Sequence, residues 1–291
     1  MQDVPVLYHY TDANGLCGII NDNCLWATAT QFSNDLTEIE YAASIAQSVI
    51  EKTWQGKRNL GLWEEFLSDR VRGVFAPPLS AFNQPFLFSL CQNGDLLSQW
   101  RAYGLRSRFS LAFKPLWTGE SVPLRCENSF RTLLRKVIYD PAHQKARLRF
   151  ILKRLIKLVK GFPSKPTAAE ERSIHAEMSL ILILEMTDWA CTFKHRAFSE
   201  EQEWRVITFP KFGFLFEAES EGLDAIMVRP KAELLVPYII LRPTSKQLPL
   251  VEIRCGPSRF QEQSARAVNI LLRKTGYATI PITRSEIPLL V

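Results

Sequence analysis

The sequence predicts an α+β fold in which helices surround a mixed or antiparallel sheet. The chain has 291 residues, of which 46% are hydrophobic and 13 are glycine, so it is long and apolar enough to bury a large core. Short strand-like runs alternate with helical patterns in its first and last thirds, and two long helical patterns occupy residues 141–190. We therefore expect a single α+β domain over residues 1–291, with a helical insertion over residues 141–190.

The first third of the chain alternates short strands with helices. Asp12 is suited to cap a helix over residues 15–20, and Ser33 or Asn34 to cap a longer helix whose apolar face runs from Ile39 to Ile50. Apolar runs between polar breaks predict strands at 6–10, 25–29, 86–91 and 108–113. Helical spacing predicts two more helices, over residues 60–74 and 96–103.

The pattern changes at Pro141. Two helices are predicted over residues 141–160 and 168–190, because the segment between them contains Pro163 and Pro166, which stop a helix. Further strands are predicted at 135–139, 204–209, 213–216, 225–228, 238–241 and 251–254. The last predicted element is a helix over residues 258–275.

The first helix of the insertion holds most of the positive charge. The formal net charge is +6, and residues 141–160 contain seven cations and no acid, so the rest of the chain sums to −1. Helical spacing places the apolar residues largely on one side and a row of cations around the other. The apolar set is Phe150, Ile151, Leu155, Leu158 and Val159, and the row is Lys145, Arg149, Lys153 and Lys157, continued by Lys160.

Two interpretations of this row of cations stay open. The row either forms a solvated face paired with acids of the next helix, such as Glu170, Glu171 or Glu177, or it tracks the phosphates of RNA or DNA.

Several classes of protein are excluded by what the sequence lacks. It has no apolar stretch of about 18 residues, and its start lacks the basic and apolar regions of a secretory signal. The six cysteines show no paired spacing of the kind that zinc and redox sites need. The fingerprints of dinucleotide-binding, P-loop, zincin and α/β-hydrolase sites are missing as well. We therefore expect a cytoplasmic protein with reduced thiols and no membrane association.

The most specific local pattern lies at residues 193–207. A strand period of two puts Glu201, Glu203 and Arg205 on one face, with Trp204 and Val206 on the other. A strand with ionisable side chains on one face lines either water or a polar cleft. The simpler alternative is a solvated edge of the sheet.

Three other polar groups could contribute to a site. His9 lies near the end of the first strand, and Asn34, Asp35 and Glu38 lie where a helix begins, where they could simply cap it and complement its dipole. Ser89 sits in an otherwise apolar strand and is followed by a helix with three side chains suited to stack a flat ring or hold a phosphate, namely Trp100, Arg101 and Tyr103.

Taken together, these segments resemble a widespread bacterial family known only as a domain of unknown function, whose members are often linked with abortive-infection loci of phage defence. The residues that carry the resemblance are 7–11, 32–35, 88–90, 99–103, 193–195, 201–205 and 253–257. That family is in turn similar to ADP-ribosyltransferases, which have a histidine on the first strand and a Glu-x-Glu on a late strand. The resemblance implies an ADP-ribosyltransferase-like split sheet with NAD in its cleft.

The resemblance also implies roles for individual residues. His9, within the segment that includes Tyr10 and Thr11, matches the residue that holds the ribose of NAD, and Ser89 or Tyr103 is the match on the middle strand. Glu203 matches the catalytic glutamate and Glu201 the residue that acts on the acceptor. Suitable aromatic rings for nicotinamide are Tyr10, Trp100 and Tyr103, and suitable cations for the pyrophosphate are Arg101, Lys194 and Arg205.

The predicted function is therefore that of an NAD-consuming ADP-ribosyltransferase-like toxin or defence effector. Its acceptor would be a macromolecule such as RNA, DNA or protein, and an antitoxin or another defence protein is an expected partner. One alternative is a metal-dependent nuclease built from Asp35, Glu38, Glu201 and Glu203 with Lys194. Another is a non-catalytic sensor or binding module in which these charges are structural ion pairs.

Overall fold

The computed structural model describes residues 4–32, 37–55, 61–74, 85–102, 108–114, 124–126, 129–210, 225–231 and 233–288. The strands are β1 Leu7–Thr11, β2 Leu25–Ala29, β3 Phe86–Cys91, β4 Phe109–Phe113, β5 Leu124–Arg125, β6 Ser129–Lys136, β7 Glu203–Pro210, β8 Ile226–Lys231, β9 Leu234–Pro243, β10 Leu250–Cys255 and β11 Ile282–Arg284. The α-helices are α1 Ala13–Asp22, α2 Thr37–Trp54, α3 Leu62–Val74, α4 Leu97–Ala102, α5 Pro141–Val159, α6 Ala168–Ala190 and α7 Gln261–Lys274.

The strands form an open mixed sheet that branches at β3. One edge of β3 pairs with β7 along its whole length, from Phe86↔Thr208 to Cys91↔Glu203. The other edge is shared, since β1 pairs at Tyr8↔Cys91 and β2 pairs at Ala29↔Phe86. From these strands the sheet continues through β4, β10 and β11 in one direction and through β9 in the other. Among the described strands only β10 and β11 pair in parallel.

One face of the sheet is apolar and is covered by α1 and α7. Alternate residues of the central strands point into this core, as a strand period of two requires, and they include Leu7, Phe88, Leu111, Val206 and Ile253. Asp12 begins α1 as predicted, because its side chain accepts a hydrogen bond from the N–H of Gly15 at 2.7 Å.

A second core is formed mainly by helices. Helices α2, α3, α5 and α6 bury a cluster of apolar side chains of their own, including Ala46, Val49, Leu67, Leu148 and Met178. The side of α5 that packs against this cluster differs in part from the predicted apolar side. Phe150 and Leu158, expected on the apolar side, are 51% and 40% exposed, and the buried side instead contains Gln144, Leu148 and Leu152.

Most predicted helices and strands are confirmed. The differences are found at segments that are too short for a clear periodic pattern. Strands β2 and β3 have their predicted bounds. Strand β6 ends at Lys136 instead of covering 135–139, because the chain then turns to Asp140, which caps α5. Strands β5 and β11 were not predicted, since two and three residues are too short for a periodic signal. The strand predicted at 213–216 and the cap at Ser33 or Asn34 lie outside the described residues. No helix in the described ranges is long and apolar enough to cross a membrane.

Candidate active site

Five charged side chains form a closed cluster where the sheet meets the helical core. Lys194 Nζ lies 3.0 Å from Glu38, 2.7 Å from Glu201 and 3.1 Å from Glu203. The Arg205 guanidinium donates to Glu203 at 2.8 Å and to Glu38 at 2.6 Å. Three carboxylates face two cations, so each carboxylate has a cation partner and the cluster has a formal charge of −1 when all five groups are ionised.

The local backbone explains how Glu201 and Glu203 reach the same cation. Glu201 ends a short 3-10 helix over Arg196–Glu201, and Gln202 then adopts a left-handed conformation with φ of 43°. Glu203 begins β7 directly afterwards. The prediction that Glu201 belongs to the strand is thus wrong, but the tight turn at Gln202 still directs both carboxylates to Lys194.

Two members of the cluster lie on an interior strand of the sheet. Strand β7 runs between β3 and β6, and Glu203 and Arg205 are only 3% and 4% exposed. The alternative of a solvated sheet edge is therefore wrong for this strand. A buried ion pair needs partners for its remaining polar atoms, and here Arg205 also donates to the carbonyl of Cys191 at 2.7 Å.

The two glutamates of the Glu-x-Glu pair differ in their proton affinity. Burial would raise the pKa of Glu203, but Arg205, Lys194 and a hydrogen bond from Ser89 lower this pKa to about 2. Burial raises the pKa of Glu201, and its hydrogen bond with Lys194 offsets only part of that effect. Burial also acts to lower the pKa of Lys194, but Glu203 and Glu38 more than reverse this, so Lys194 stays charged.

Two residues outside the predicted set, Gln144 and Tyr139, hold the cluster in place. Gln144 on α5 is fully buried, and its amide donates to the carbonyl of Lys194 at 3.0 Å. The backbone N–H of Glu203 donates to the Tyr139 hydroxyl at 2.9 Å. Gln144 could have been identified from the sequence, because it is a polar residue on the buried side of a predicted helix. Glu38, which the sequence offered either as an acid of the first helical turn or as a metal ligand, instead pairs with both Lys194 and Arg205.

The strand register decides which predicted residues share a face with the cluster. Tyr8 pairs with Cys91, and Cys91 pairs with Glu203, so these three side chains point to the same side of the sheet. Ser89 pairs with Arg205 and joins them. Tyr10, two residues after Tyr8 on β1, also lies on this face.

His9 lies on the opposite face of the sheet from Glu203. Its ring stacks on Phe88 with 4.2 Å between ring centres, and its Nδ1 donates to the carbonyl of Ser89 at 2.9 Å. Burial lowers the pKa of His9 to about 4. Thr11 follows two residues later and shares the face of His9. The structure therefore does not bring His9 and Glu203 together, because a period of two separates alternate residues of β1.

The predicted ring-stacking residues are used in packing. Trp100 and Tyr10 are 6% and 4% exposed and meet edge to face, with 4.6 Å between ring centres. The Trp100 indole N–H donates to Asp95 at 2.8 Å, which further fixes its ring. Arg101 is exposed to solvent. Asn34, Asp35 and Tyr103 lie outside the described residues.

Residues 99–206 match the model of a family described as "Protein of unknown function (DUF2971)". The match supports the expected likeness to a domain-of-unknown-function family. It begins in α4 and ends in β7, so it contains Lys194, Glu201, Glu203 and Arg205. It also spans the helical hairpin, which the resemblance by motifs covered least. No curated protein and no solved structure is similar enough to this chain to match it.

Proposed function

We propose that the protein cleaves the bond between nicotinamide and ribose in NAD and transfers the ADP-ribosyl group to an acceptor. The supporting observation is that Glu201 and Glu203 contact the same Lys194 Nζ, at 2.7 and 3.1 Å, while their pKa values move in opposite directions. Environments that separate the pKa values of two carboxyl groups give these groups different roles in a reaction. The choice of NAD as substrate rests on the resemblance to ADP-ribosyltransferases.

The reaction places clear demands on these carboxylates. The bond between the anomeric carbon and the nicotinamide nitrogen breaks, and its electron pair leaves with nicotinamide. Positive charge then develops on the ribose, and a nearby ionised carboxylate lowers the barrier. The acceptor oxygen or nitrogen forms the new bond to the anomeric carbon, and its proton passes to a carboxylate base.

The geometry favours Glu201 as the carboxylate that faces the substrate. Its side chain is 18% exposed, and in the described part of the chain it contacts the single cation Lys194. The Glu203 side chain is 4% exposed, and both its oxygens already accept hydrogen bonds from Arg205 or Lys194. Glu203 therefore acts as a positioning residue that keeps Lys194 beside Glu201. The ribose contact implied for His9 falls instead to groups on the Glu203 face, such as Tyr8 and Ser89.

The resemblance to phage-defence proteins extends this proposal to the cell. An enzyme that consumes NAD in the cytoplasm arrests growth, which suits a toxin or defence effector held in check by an antitoxin or another defence protein. The nuclease alternative has no comparable support. Glu38, Glu201 and Glu203 each form an ion pair with Lys194 or Arg205. Among the described residues, no group of three or more His, Cys, Asp or Glu side chains is arranged so that it could hold a metal ion.

The proposal is tested by incubating the purified full chain with NAD that is labelled in its adenylate part. Separate reactions contain a pool of RNA, DNA or protein as the possible acceptor. We expect nicotinamide release and transfer of the label to one pool. Glu201→Gln is expected to lower the rate by at least about 100-fold, the usual contribution of a catalytic acid or base. Glu200→Gln is the matched control, because Glu200 is the exposed neighbour of Glu201 and is expected to leave the rate unchanged.

Glu203→Gln separates positioning from catalysis. It leaves the buried Arg205 with Glu38 as its carboxylate partner and removes the charge of Glu203, so we expect a loss of about 3 kcal/mol in the free energy of unfolding together with a loss of activity. Glu201→Gln is expected to change stability far less. If the wild-type protein releases no nicotinamide with any pool, the proposed function is wrong. If both variants leave cellular toxicity or defence unchanged, the non-catalytic alternative is correct.

A further inference from the structure

The exposed side of α5 carries a row of cations one helical turn apart. Lys145, Arg149, Lys153 and Lys157 follow one another at intervals of four residues, so their Cα atoms rise by about 6 Å per step and span about 18 Å. Arg149, Lys153 and Lys157 are exposed, and Lys145 is half-buried. No acidic residue occurs in residues 141–160 to weaken this row.

The other three cations of α5 have partners inside the protein. The Arg147 guanidinium lies 3.6 Å from the centre of the Trp189 ring. Arg154 pairs with Glu185 at 3.8 Å, and Lys160, directly after the helix, pairs with Glu64 at 3.6 Å.

Over the described ranges the four cations of the row form no ion pair. The predicted pairing with acids of α6 is thus not what the structure shows, and Glu170 instead accepts hydrogen bonds from Thr167. These four side chains are therefore able to bind an external anion.

An exposed aromatic ring lies beside this row. Phe150 is 51% exposed, and a rotation of 100° per residue puts it about 20° around the helix from Lys157. The arrangement of a cationic track with a ring beside it is how proteins bind single-stranded nucleic acids, because phosphates follow the charges and an unpaired base stacks on the ring.

We propose that α5 binds single-stranded nucleic acid, with phosphates along Lys145, Arg149, Lys153 and Lys157 and a base stacked on Phe150. This proposal does not depend on the proposed enzymatic activity. A duplex would satisfy the cations but has no unpaired base for Phe150. An anionic membrane fits less well, because the apolar side of α5 is already buried against the helical core, and the charged Arg154 separates Phe150 from the other exposed apolar residue, Leu158.

Fluorescence anisotropy of the full chain tests the proposal with labelled oligo(dT), oligo(U) and a DNA duplex of equal length, and with phosphatidylserine vesicles as a further arm. We expect binding of a single-stranded probe that weakens about 50-fold between about 50 and 200 mM salt, as four phosphate contacts require. Tighter binding of oligo(U) or of oligo(dT) identifies RNA or DNA as the ligand. Binding to vesicles with none to either oligonucleotide overturns the proposal.

Two pairs of matched variants locate the surface. The triple variant Arg149→Gln/Lys153→Gln/Lys157→Gln is expected to reduce the salt slope by about two, whereas Lys246→Gln/Arg259→Gln/Lys274→Gln removes the same charge elsewhere and is expected to leave it unchanged. Phe150→Ala is expected to weaken single-strand binding about tenfold and duplex binding not at all, and Leu158→Ala, also on exposed α5 surface, to change neither. Equal effects of the two triple variants, or no effect of Phe150→Ala, overturn the proposal. Circular dichroism of each variant confirms its fold.

Discussion

Glu203 is buried and His9 is half-buried. These two titratable residues lie on opposite faces of one sheet, and their surroundings favour opposite charge states. Burial acts against the charge of both. Glu203 nevertheless remains ionised, with a pKa of about 2, because Arg205 and Lys194 lie beside it. Burial lowers the pKa of His9 to about 4, and the carbonyl of Ser89 reverses only part of this effect. His9 is therefore neutral at physiological pH and donates from Nδ1 to that carbonyl.

These two pKa values predict that stability falls in two stages as the pH is lowered. The pKa of His9 is about 4 in the folded protein and 6.5 in its ordinary state, so the unfolded chain takes up a proton first and unfolding becomes easier by about 3 kcal/mol between pH 6.5 and 4. Glu203 stabilises the fold above its ordinary pKa of 4.5, and this contribution is lost as the pH falls from there toward 2. Urea unfolding across this pH range measures both stages.

His9→Asn provides the control for the first stage. An asparagine amide places an N–H near the position of Nδ1, so it preserves the hydrogen bond to Ser89 without a titratable ring. We expect the variant to lose the stage between pH 6.5 and 4 and to keep the stage below pH 4.5. A pH profile identical to that of the wild-type protein would show that His9 is not the group responsible.

At the scale of elements, α5 serves both the helical core and the charged cluster. Its residue Gln144 donates to the carbonyls of Ile138 and Lys194, at 2.5 and 3.0 Å, and accepts from the Tyr41 hydroxyl at 2.9 Å. One amide therefore joins α2, α5 and the segment that carries Lys194. A buried amide that satisfies three groups fixes their relative positions.

Gln144→Leu is expected to lower the free energy of unfolding by about 3 kcal/mol, because the Lys194 carbonyl and the Tyr41 hydroxyl lose their partner in a buried place. Tyr41→Phe is the matched control, since it removes one hydrogen bond and is expected to cost about 1 kcal/mol. Chemical denaturation of both variants gives the comparison. A leucine variant as stable as the wild-type protein would mean that the amide is not a structural link.

The sequence predicted the individual helices and strands better than it predicted the contacts between them. The bounds of β2 and β3 followed from apolar runs between polar breaks, and Asp12 was recognisable as a cap. The second carboxylate partner of Arg205, in contrast, is Glu38, 167 residues earlier in the chain, and no local pattern connects these two residues. The separation of His9 from Glu203 depends on the register of β1, β3 and β7, which a single sequence does not specify.

At the scale of the whole molecule, two cores meet at the charged cluster. Glu38 comes from a helix of the helical core and Arg205 from the middle of the sheet. The hairpin of α5 and α6 supplies a large share of the helical core, including Leu148, Leu155 and Met178. A segment that looked like an insertion in the sequence is thus an integral part of the packing.

Replacement of residues 141–190 by a short Gly/Ser linker is therefore expected to prevent folding, because it exposes the apolar sides of α2 and α3 and removes the Gln144 link. Insertion of the same linker after the exposed Ser164, with both helices intact, is the control and is expected to preserve the fold. Size-exclusion chromatography and near-UV circular dichroism distinguish the outcomes. A monomeric deletion variant with a native near-UV spectrum would show that the sheet folds without the hairpin.

The branch at β3 has a consequence for the newly made chain on the ribosome. Strand β3 ends at Cys91, but β7, which covers one of its edges completely, ends only at Pro210. At ordinary rates of translation, that edge of β3 stays unpaired for on the order of ten seconds before β7 has been synthesised. Its apolar residues are meanwhile available to other chains, so slower initiation or a bound chaperone should raise the yield of native protein.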